Sequence, residues 1–568
     1  MDAKAQYEEK PWVKWYPEGV PAEVDVLERS VPEVFDEAVE KWGNRTSLIF
    51  YGKKINYREL KDQVDRFATA LCDLGVKKGD KVALYLLNCP QFVIAYLGAL
   101  KAGAVITPIS PMYVSSEVKH QLEDSEAKDI VCQDLLYDRV EKTGIKLRNV
   151  IITGIGEYLP GVKKFVGSSV LRNIYKKMEV PSTKIFEREG FHQFQDLIKK
   201  YPPNPPRIEI NPKEDLAVLP YTGGTTGLPK GAMLTHYNLV VNEAQAQAMW
   251  LPFFEEGKEV VIAYLPFYHV YGQVIIMLDG LIWGYTLVIF TTPDLDDILH
   301  AIGAYKATVF FSVPSLYDVL KDHEKTDRVD WKHFKVLFSG ADALLADVAR
   351  GFERRTGVEV HEGYGLTETS PATHVNPMGR IKFGSLGIPV PSTMAAILHP
   401  EENEFLPLGE TGEIAIKGPQ VMKGYWKDPE ETSEKLVNID GETWLRTGDL
   451  GSMDDEGYFH FYDRKRDLIK YKGYSVFARE VEEVLKNHPK IKEAGVVGVR
   501  DPKVGEYVKA AVVLEADSRG KLSEEDIIEY CKEKMAHYKI PKIVEFRGEI
   551  PRTDVGKVSR RELREELE

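Results

Sequence analysis

Apolar positions recur along the first half of the chain in two alternating rhythms. From Tyr57 to Leu74, the residues Leu60, Val64, Phe67, Ala68 and Leu71 fall three and four apart, which gathers them on one face of an amphipathic helix. Gly75-Val76-Lys77-Lys78-Gly79-Asp80 supplies a stop and a turn, and Lys81 to Leu87 then reads as a buried strand. A second helix is predicted over Gln91 to Ala102, closed by Gly103, before a strand over Ala104 to Thr107. Helix and strand in alternation predict sheets covered by helices. Val274 to Phe290 is almost wholly apolar, but Asp279, Gly280 and Gly284 interrupt it and no Lys or Arg flanks it. At 17 residues it predicts a buried helix running into a core strand, not a membrane span.

Two segments interrupt this rhythm. Pro202-Pro203-Asn204-Pro205-Pro206 reads as a stiff connector. Asp463-Arg464-Lys465-Arg466-Asp467 is a charged run, after which the pattern predicts a helix over 479–487, strands over 494–499 and 508–514, and a helix over 523–535. The chain therefore divides into a large unit over 1–462, a hinge over 463–467 and a small unit over 468–568, the last of ordinary domain size. No repeat at a period of 20–50 residues is visible.

Composition narrows the classes. Among 568 residues, 43 % hydrophobic and 29 % charged exclude disorder, and a net charge of −14 disfavours broad nucleic-acid binding. Cys72, Cys89, Cys132 and Cys531 are too few for a disulfide framework and lack the spacing of a zinc site, which favours a reducing, cytoplasmic setting. Met1 to Lys10 shows no basic region followed by an apolar core, so no signal peptide is expected. One stretch runs against the acidic average: residues 159–178 carry Lys163, Lys164, Arg172, Lys176 and Lys177 without an acid, and Val162, Phe165, Val166, Val170, Ile174 and Met178 at helical spacing. Such a helix can lie peripherally on an anionic inner membrane face, or pack as a solvated helix on its own domain.

The most informative string is Tyr221-Thr222-Gly223-Gly224-Thr225-Thr226-Gly227-Leu228-Pro229-Lys230-Gly231. Three glycines let backbone N–H groups close on an anion, the threonines add hydroxyls or a Mg²⁺ ligand, and Lys230 adds a point charge. The composition suits a polyphosphate. It departs from a Walker A loop, since Pro229 stands where the second glycine belongs and Gly231 follows the lysine.

Four further strings accompany it: YGLTETSP from Tyr364, LRTGDL from Leu445, DRKRDLIKYKGY from Asp463 and PRTDVGK from Pro551. In order and spacing the set resembles the adenylate-forming superfamily of acyl-CoA synthetases, coumarate-CoA ligases, luciferases and peptide-synthetase adenylation domains, over roughly residues 30 to 565. Within it, YTGGTTGLPKGAMLTH (221–236) and EGYGLTETSPATHVNP (362–377) look most like medium- or long-chain fatty acyl-CoA synthetases.

The resemblance implies a mixed α/β fold: a large N-terminal domain of helix-covered sheets with a distorted β-barrel, and a small mobile α+β C-terminal domain. It implies ATP, Mg²⁺ and coenzyme A, and a two-step reaction. A carboxylate attacks the α-phosphate of ATP to give an acyl-adenylate, and the CoA thiolate then displaces AMP. No covalent protein nucleophile is needed, so catalysis rests on positioning and charge.

The resemblance further implies that Thr222 through Lys230 hold the β/γ-phosphates, with Thr225 and Glu368 near Mg²⁺. It implies that Tyr364 lies on adenine between Glu362-Gly363 and Gly340-Ala341, with Gly365 and Thr367 in the same nucleotide set. Asp449 takes the ribose hydroxyls, Arg464 reaches the nucleotide, and Lys557 bridges carboxylate and ribose in the first step. His269 lines the acyl and thioester site, though among aromatics it equally suits a core histidine. The C-terminal domain pivots at Arg466 to present Lys470, Lys472, Gly473 and Tyr474 to CoA.

Three departures from the family pattern stand out: an arginine at the hinge, Phe477 where a proline is common, and Asp342 near the expected acyl pocket. A buried acid there is costly, so either the substrate is not a plain alkyl acid or Asp342 points elsewhere. An aryl or branched acid is thus the alternative substrate, a nucleotide-binding lipid sensor the alternative class, and monomer and homodimer both stay open.

Overall fold

The structure, a computed structural model, describes residues 3–160, 188–222, 229–292, 294–472, 474–501, 503–518, 520–552 and 558–565. Gly223 to Leu228, Gly473, Lys557 and residues 161–178 of the basic segment lie outside the described residues. The chain forms two compact units. The larger comprises Trp12–Met394 and Ile416–Leu436; the smaller comprises Met1–Pro11, Ala395–Ala415 and Val437–Glu568.

Local sequence explains the elements. The helix Tyr57–Asp73 opens on a reciprocal cap, Asn56 Oδ1 accepting from Glu59 N–H (2.8 Å) and Glu59 Oε2 from Asn56 N–H (2.9 Å). Gly75, at φ +86°, lets the chain leave it. The next helix, Pro90–Lys101, is buried all round and has proline in its first turn. Between them the strand Lys81–Tyr85 pairs in parallel with Val105–Pro108 and with Asp129–Gln133.

The larger unit holds two helix-covered sheets. The first has seven strands in the order Leu234–Thr235, Leu216–Val218, Val105–Pro108, Lys81–Tyr85, Asp129–Gln133, Asn149–Thr153, Phe191–Gln193. It is parallel apart from the first pair. The second has nine strands, with a parallel centre built from Thr286–Ile289, Val260–Ala263, Val309–Ser312, Val336–Ser339 and His361–Gly365. The central strands Thr286–Ile289, Val260–Ala263, Val309–Ser312 and Val336–Ser339 are near-continuous buried apolar runs, whereas His361–Gly365 is polar and partly exposed.

The apolar stretch after residue 270 does run from a helix into a core strand, but the helix is unusual. Tyr271–Leu278 is a π-helix, continued by the α-helical turn Asp279–Ile282 and the strand Thr286–Ile289. Gly272 sits where a Cβ would meet the Pro266 carbonyl oxygen at 2.1 Å, so only glycine fits the widened turn. No helix among the described residues is long and apolar enough to cross a membrane.

The smaller unit contains a curled five-stranded half-barrel and a second five-stranded sheet near the C-terminus. The half-barrel uses Met394–Leu398, Gly412–Lys417, Leu436–Ile439, Glu442–Met453 and Phe459–Arg464. The C-terminal sheet orders Tyr474–Val476, Ile469–Tyr471, Gly505–Leu514, Ile491–Asp501, with Ile543–Phe546 parallel to Gly505–Leu514. Its core packs Val476, Val481, Leu485, Val496, Val508, Val512 and Ile527 beneath the helices Ala478–Lys486 and Glu524–Lys534.

Candidate functional site

In the larger unit the glycine-rich string forms a hairpin neck. Tyr221–Thr222 pairs antiparallel with Lys230–Gly231, Thr222 opposite Lys230 and Tyr221 opposite Gly231. The neck is anchored to the seven-stranded sheet through Leu219 N–H, which donates to Ile106 O at 2.7 Å. Gly231 leaves room for Leu219, whose Cγ a Cβ would meet at 2.9 Å. The helix Ser115–Ser125 braces the other side: Tyr221 hydroxyl donates to Asp124 (2.6 Å), and His120 Nε2 lies 3.0 Å from Pro229 O. Burial, and then the Asp124 carboxylate, push the Tyr221 phenol above its ordinary range, so it stays a donor.

Lys230 is positioned by charge. Its Nζ pairs with Glu431 (2.7 Å) and Asp428 (2.9 Å) on the turn Asp428–Glu431. Burial pulls its pKa down, but the two carboxylates outweigh that and hold it above the usual lysine value.

Tyr364 lies on the strand His361–Gly365, paired antiparallel with Ala372–Val375 so that it faces His374, the rings 5.7 Å apart. The flanking glycines are steric necessities. A Cβ on Gly365 would approach Pro371 O at 2.0 Å, and one on Gly363 would reach Phe338 Cζ at 2.3 Å. Glu362 Oε1 accepts from Leu344 N–H (2.9 Å), which ties this strand to the Gly340–Ala341 turn. Ala341 there adopts a left-handed φ of 70°, and a Cβ on Gly340 would lie 3.2 Å from the Tyr271 ring. The sheet thus brings Gly340, Ala341, Glu362, Gly363, Tyr364 and Gly365 into one patch, with Thr367 half-buried in the following turn Thr367–Thr369.

Glu368 follows in that turn. Its Oε1 accepts from the Tyr425 hydroxyl at 2.7 Å, and Met422 N–H donates to its carbonyl. Burial and the neighbouring Glu368 charge raise the Tyr425 phenol, keeping it a donor. No group of three or more metal-ligating side chains is found among the described residues. One fixed carboxylate nevertheless fits Mg²⁺, which commonly takes one or two carboxylates and fills its shell with substrate phosphate and water. His269 is half-buried in the turn that leads into the π-helix, its Nδ1 3.3 Å from Tyr271 N–H. Asp342 is exposed and accepts from Ala343 N–H (2.9 Å), so it points away from the interior and carries no objection to an alkyl acid.

In the smaller unit, Asp449 and Arg464 face each other across the strands Glu442–Met453 and Phe459–Arg464, Oδ1 and Nε 3.6 Å apart. Asp449 is buried, and its N–H donates to Thr447 Oγ1 at 3.0 Å. Arg466 is exposed in the short turn Lys465–Asp467 that joins the half-barrel to the C-terminal sheet. Lys470 is exposed, its Nζ donating to Ser475 at 2.9 Å; Lys472 is exposed at a left-handed φ of 50°; Tyr474 stacks on Tyr538, centroids 4.7 Å apart. Missing from the sequence reading were Asp124, Tyr425, Asp428 and Glu431. No spacing marks a tyrosine 57 residues from the carboxylate it serves.

Comparison with known proteins bears directly on this arrangement. Residues 35–426 match the family described as AMP-binding enzyme, and residues 480–557 match the AMP-binding enzyme C-terminal domain. The chain is 39 % identical over 562 residues to a long-chain-fatty-acid--CoA ligase of Bacillus subtilis, covering 98 % of each. It is 37 % identical to the long-chain-fatty-acid--CoA ligase of Escherichia coli O6:H1, again covering 98 % of each. Among solved structures, ATP-bound MatB from Rhodopseudomonas palustris superposes with a TM-score of 0.81 at 29 % identity, covering 95 % of this chain and 99 % of that one.

Proposed function

The chain belongs to the AMP-binding enzyme family, and from that premise we propose that it ligates a medium- or long-chain fatty acid to coenzyme A through an acyl-adenylate. The observation that carries this reading is the braced neck at Tyr221–Gly231 with Lys230 at its foot, in a chain whose full-length relatives are named for that reaction.

In the first half-reaction a carboxylate oxygen attacks the α-phosphorus, the bond to the β-phosphate bridging oxygen breaks, and pyrophosphate leaves. Thr222 through Gly227 and Lys230 offset charge on the departing phosphates; Tyr364 stacks the base, and Asp449 with Arg464 holds the ribose side. Lys557 bridges the acid and ribose oxygens. Glu368 and Thr225 would hold Mg²⁺, which would neutralise charge on the phosphates. In the second half-reaction the CoA thiolate attacks the acyl carbon beside His269 and AMP leaves, after the segment beyond residues 463–467 turns at Arg466 to present Lys470, Lys472, Gly473 and Tyr474. Contact of residues 159–178 with a membrane surface belongs to the same reading. Exposure of Asp342 favours the alkyl over the aryl acid.

A panel of acids from acetate to C18, with aryl acids included, is assayed for AMP release in the presence of CoA. Turnover rising with alkyl length beyond C8 is expected; a maximum on aryl acids overturns the substrate assignment. Lys557→Ala is expected to abolish acid-dependent pyrophosphate exchange while still converting supplied acyl-adenylate to thioester, and equal loss of both refutes the division of labour.

A further inference from the structure

The foot of the hairpin neck carries more negative than positive charge. Lys230, opposite Thr222, gives its ammonium to Glu431 Oε2 at 2.7 Å and to Asp428 Oδ2 at 2.9 Å. Glu431 is buried, while Lys230 and Asp428 are partly open to solvent. One ammonium facing two carboxylates leaves this corner negative, although the reaction scheme asks it to receive phosphates.

The carboxylates are fixed and the ammonium is not. Asp428 caps the helix Pro429–Lys435, accepting from Glu431 N–H at 3.0 Å. The preceding turn is laid along residues 231–233 by backbone bonds: Trp426 N–H to Gly231 O (2.8 Å), Met233 N–H to Gly424 O (2.9 Å) and Lys423 N–H to Met233 O (3.0 Å). On its other side the Tyr425 hydroxyl ties the turn to Glu368 at 2.7 Å. Lys230, by contrast, reaches its partners on a flexible four-carbon stem with three rotatable donors. It is the member of the trio that can change partners.

We propose that Asp428 and Glu431 compete with the polyphosphate for the Lys230 ammonium, and so set how tightly pyrophosphate is held and how readily it leaves once the acid is activated. The inference rests on the assignment of Lys230 to the phosphates made above. In the empty site the carboxylates hold the ammonium. An arriving phosphate either displaces them or binds beside them against their charge, and in both cases part of its attraction is offset. Departure of pyrophosphate restores the two ion pairs, so release leaves no orphaned ammonium behind.

The test measures binding of inorganic pyrophosphate, at constant Mg²⁺, to the full chain by equilibrium dialysis, in wild type, Glu431→Gln, Asp428→Asn and Lys230→Met. Inhibition of thioester formation by the same pyrophosphate is followed in parallel. Gln keeps the size of Glu431 and Asn keeps the cap at position 428, so each variant removes a charge and little else. The expected result is pyrophosphate bound ~5-fold more tightly in each carboxylate variant, the scale of one partly exposed charge interaction. Product inhibition strengthens in the same proportion and is relieved by added inorganic pyrophosphatase. In Lys230→Met, binding is expected to weaken by ~10-fold, through loss of a charge-assisted hydrogen bond. Weaker binding there, with unchanged or weaker binding in either carboxylate variant, overturns the proposal and makes Asp428 and Glu431 mere supports for the lysine. Unchanged binding in Lys230→Met removes the lysine assignment itself, and this inference with it.

Discussion

The two halves of the candidate machinery are held by different forces. In the larger unit the candidate nucleotide patch and the neighbouring π-helix are fixed by backbone against backbone and ring: Gly365 against Pro371 O, Gly363 against Phe338, Gly272 against Pro266 O, with no space for even a methyl group. In the smaller unit the corresponding groups are held by charge, through Asp449–Arg464 and the ion pairs of Arg560 with Asp463 and Glu482. Steric contacts of this kind have a single solution. An exposed ion pair can change partners at little net cost, whereas a buried one yields only where both charges find new partners, since breaking it leaves an uncompensated charge at about 3–5 kcal/mol. The first region is suited to being a template and the second to being a switch, consistent with the proposed alternation.

The comparison breaks most readily at Gly365. Gly365→Ala forces a Cβ to within 2.0 Å of a carbonyl oxygen in paired strands, where neither backbone can move alone. The expected cost is about 3 kcal/mol or more, with acid-dependent pyrophosphate exchange lost in whatever protein folds. Gly303→Ala is the control, since nothing lies within 4 Å of its Cβ position and it sits inside the helix Leu295–Tyr305. That substitution is expected to stabilise by about 0.5–1 kcal/mol. Equal thermal midpoints for the two variants would refute the template argument.

One charged feature of the larger unit runs against its steric character. Glu243, on the helix His236–Trp250, and Asp279, at the end of the π-helix, are buried within hydrogen-bonding reach of each other, and Trp283 Nε1–H donates to Glu243. Burial drives both carboxyls upward, and their proximity leaves the pair a shared proton. A carboxyl raised on folding contributes stability that is complete below its unfolded pKa of ~4 and is lost as pH rises toward the folded value. The buried His236 and His361, lowered by burial to about 4, and His374, lowered to about 3, act oppositely. Their contribution is complete above ~6.5 and lost as pH falls. Between pH ~7 and ~8 the carboxyl pair therefore sets the slope, up to about 1.4 kcal/mol per pH unit for one proton. Glu243→Gln is expected to flatten the fall in thermal midpoint over that interval, and an unchanged slope would remove the shared proton from the account.

What was legible in the sequence follows the same division. Periodicity found the helix Tyr57–Asp73, the strand Lys81–Tyr85 and the C-terminal helices Ala478–Lys486 and Glu524–Lys534, because each buries a face at its own repeat. Phe477 in place of proline still precedes the latter domain's first helix directly. The π-helix was read as an ordinary buried helix, since an all-apolar run has no periodicity to distinguish a widened turn, and the decisive contact of Gly272 with Pro266 is a matter of packing. The glycine-rich string announced its chemistry through composition, while Tyr425, Asp428 and Glu431 did not, being brought to Glu368 and Lys230 only by the fold. Asp342, where the sequence left a buried acid or an outward-pointing one open, is exposed and accepts from Ala343 N–H, so the cost of burying a lone carboxylate does not arise.

The smallest effect is expected at Tyr474, and it sharpens the contrast most selectively. Its ring is 57 % exposed and stacks on Tyr538 at 4.7 Å with planes 20° apart, a contact that costs about 0.5 kcal/mol to remove in so open a setting. Tyr474→Ala is therefore expected to leave the thermal midpoint nearly unchanged. If the exposed face around Lys472 and Tyr474 receives CoA, its removal raises KM for CoA several-fold in thioester formation while pyrophosphate exchange proceeds as in wild type, and Tyr474→Phe restores the ring and the KM. Gly365→Ala and Tyr474→Ala then form opposite extremes, one destroying the template with the first half-reaction, the other touching only the surface offered in the second. A Tyr474→Ala enzyme that loses exchange as severely as thioester formation would show that the two regions are not separable in this way.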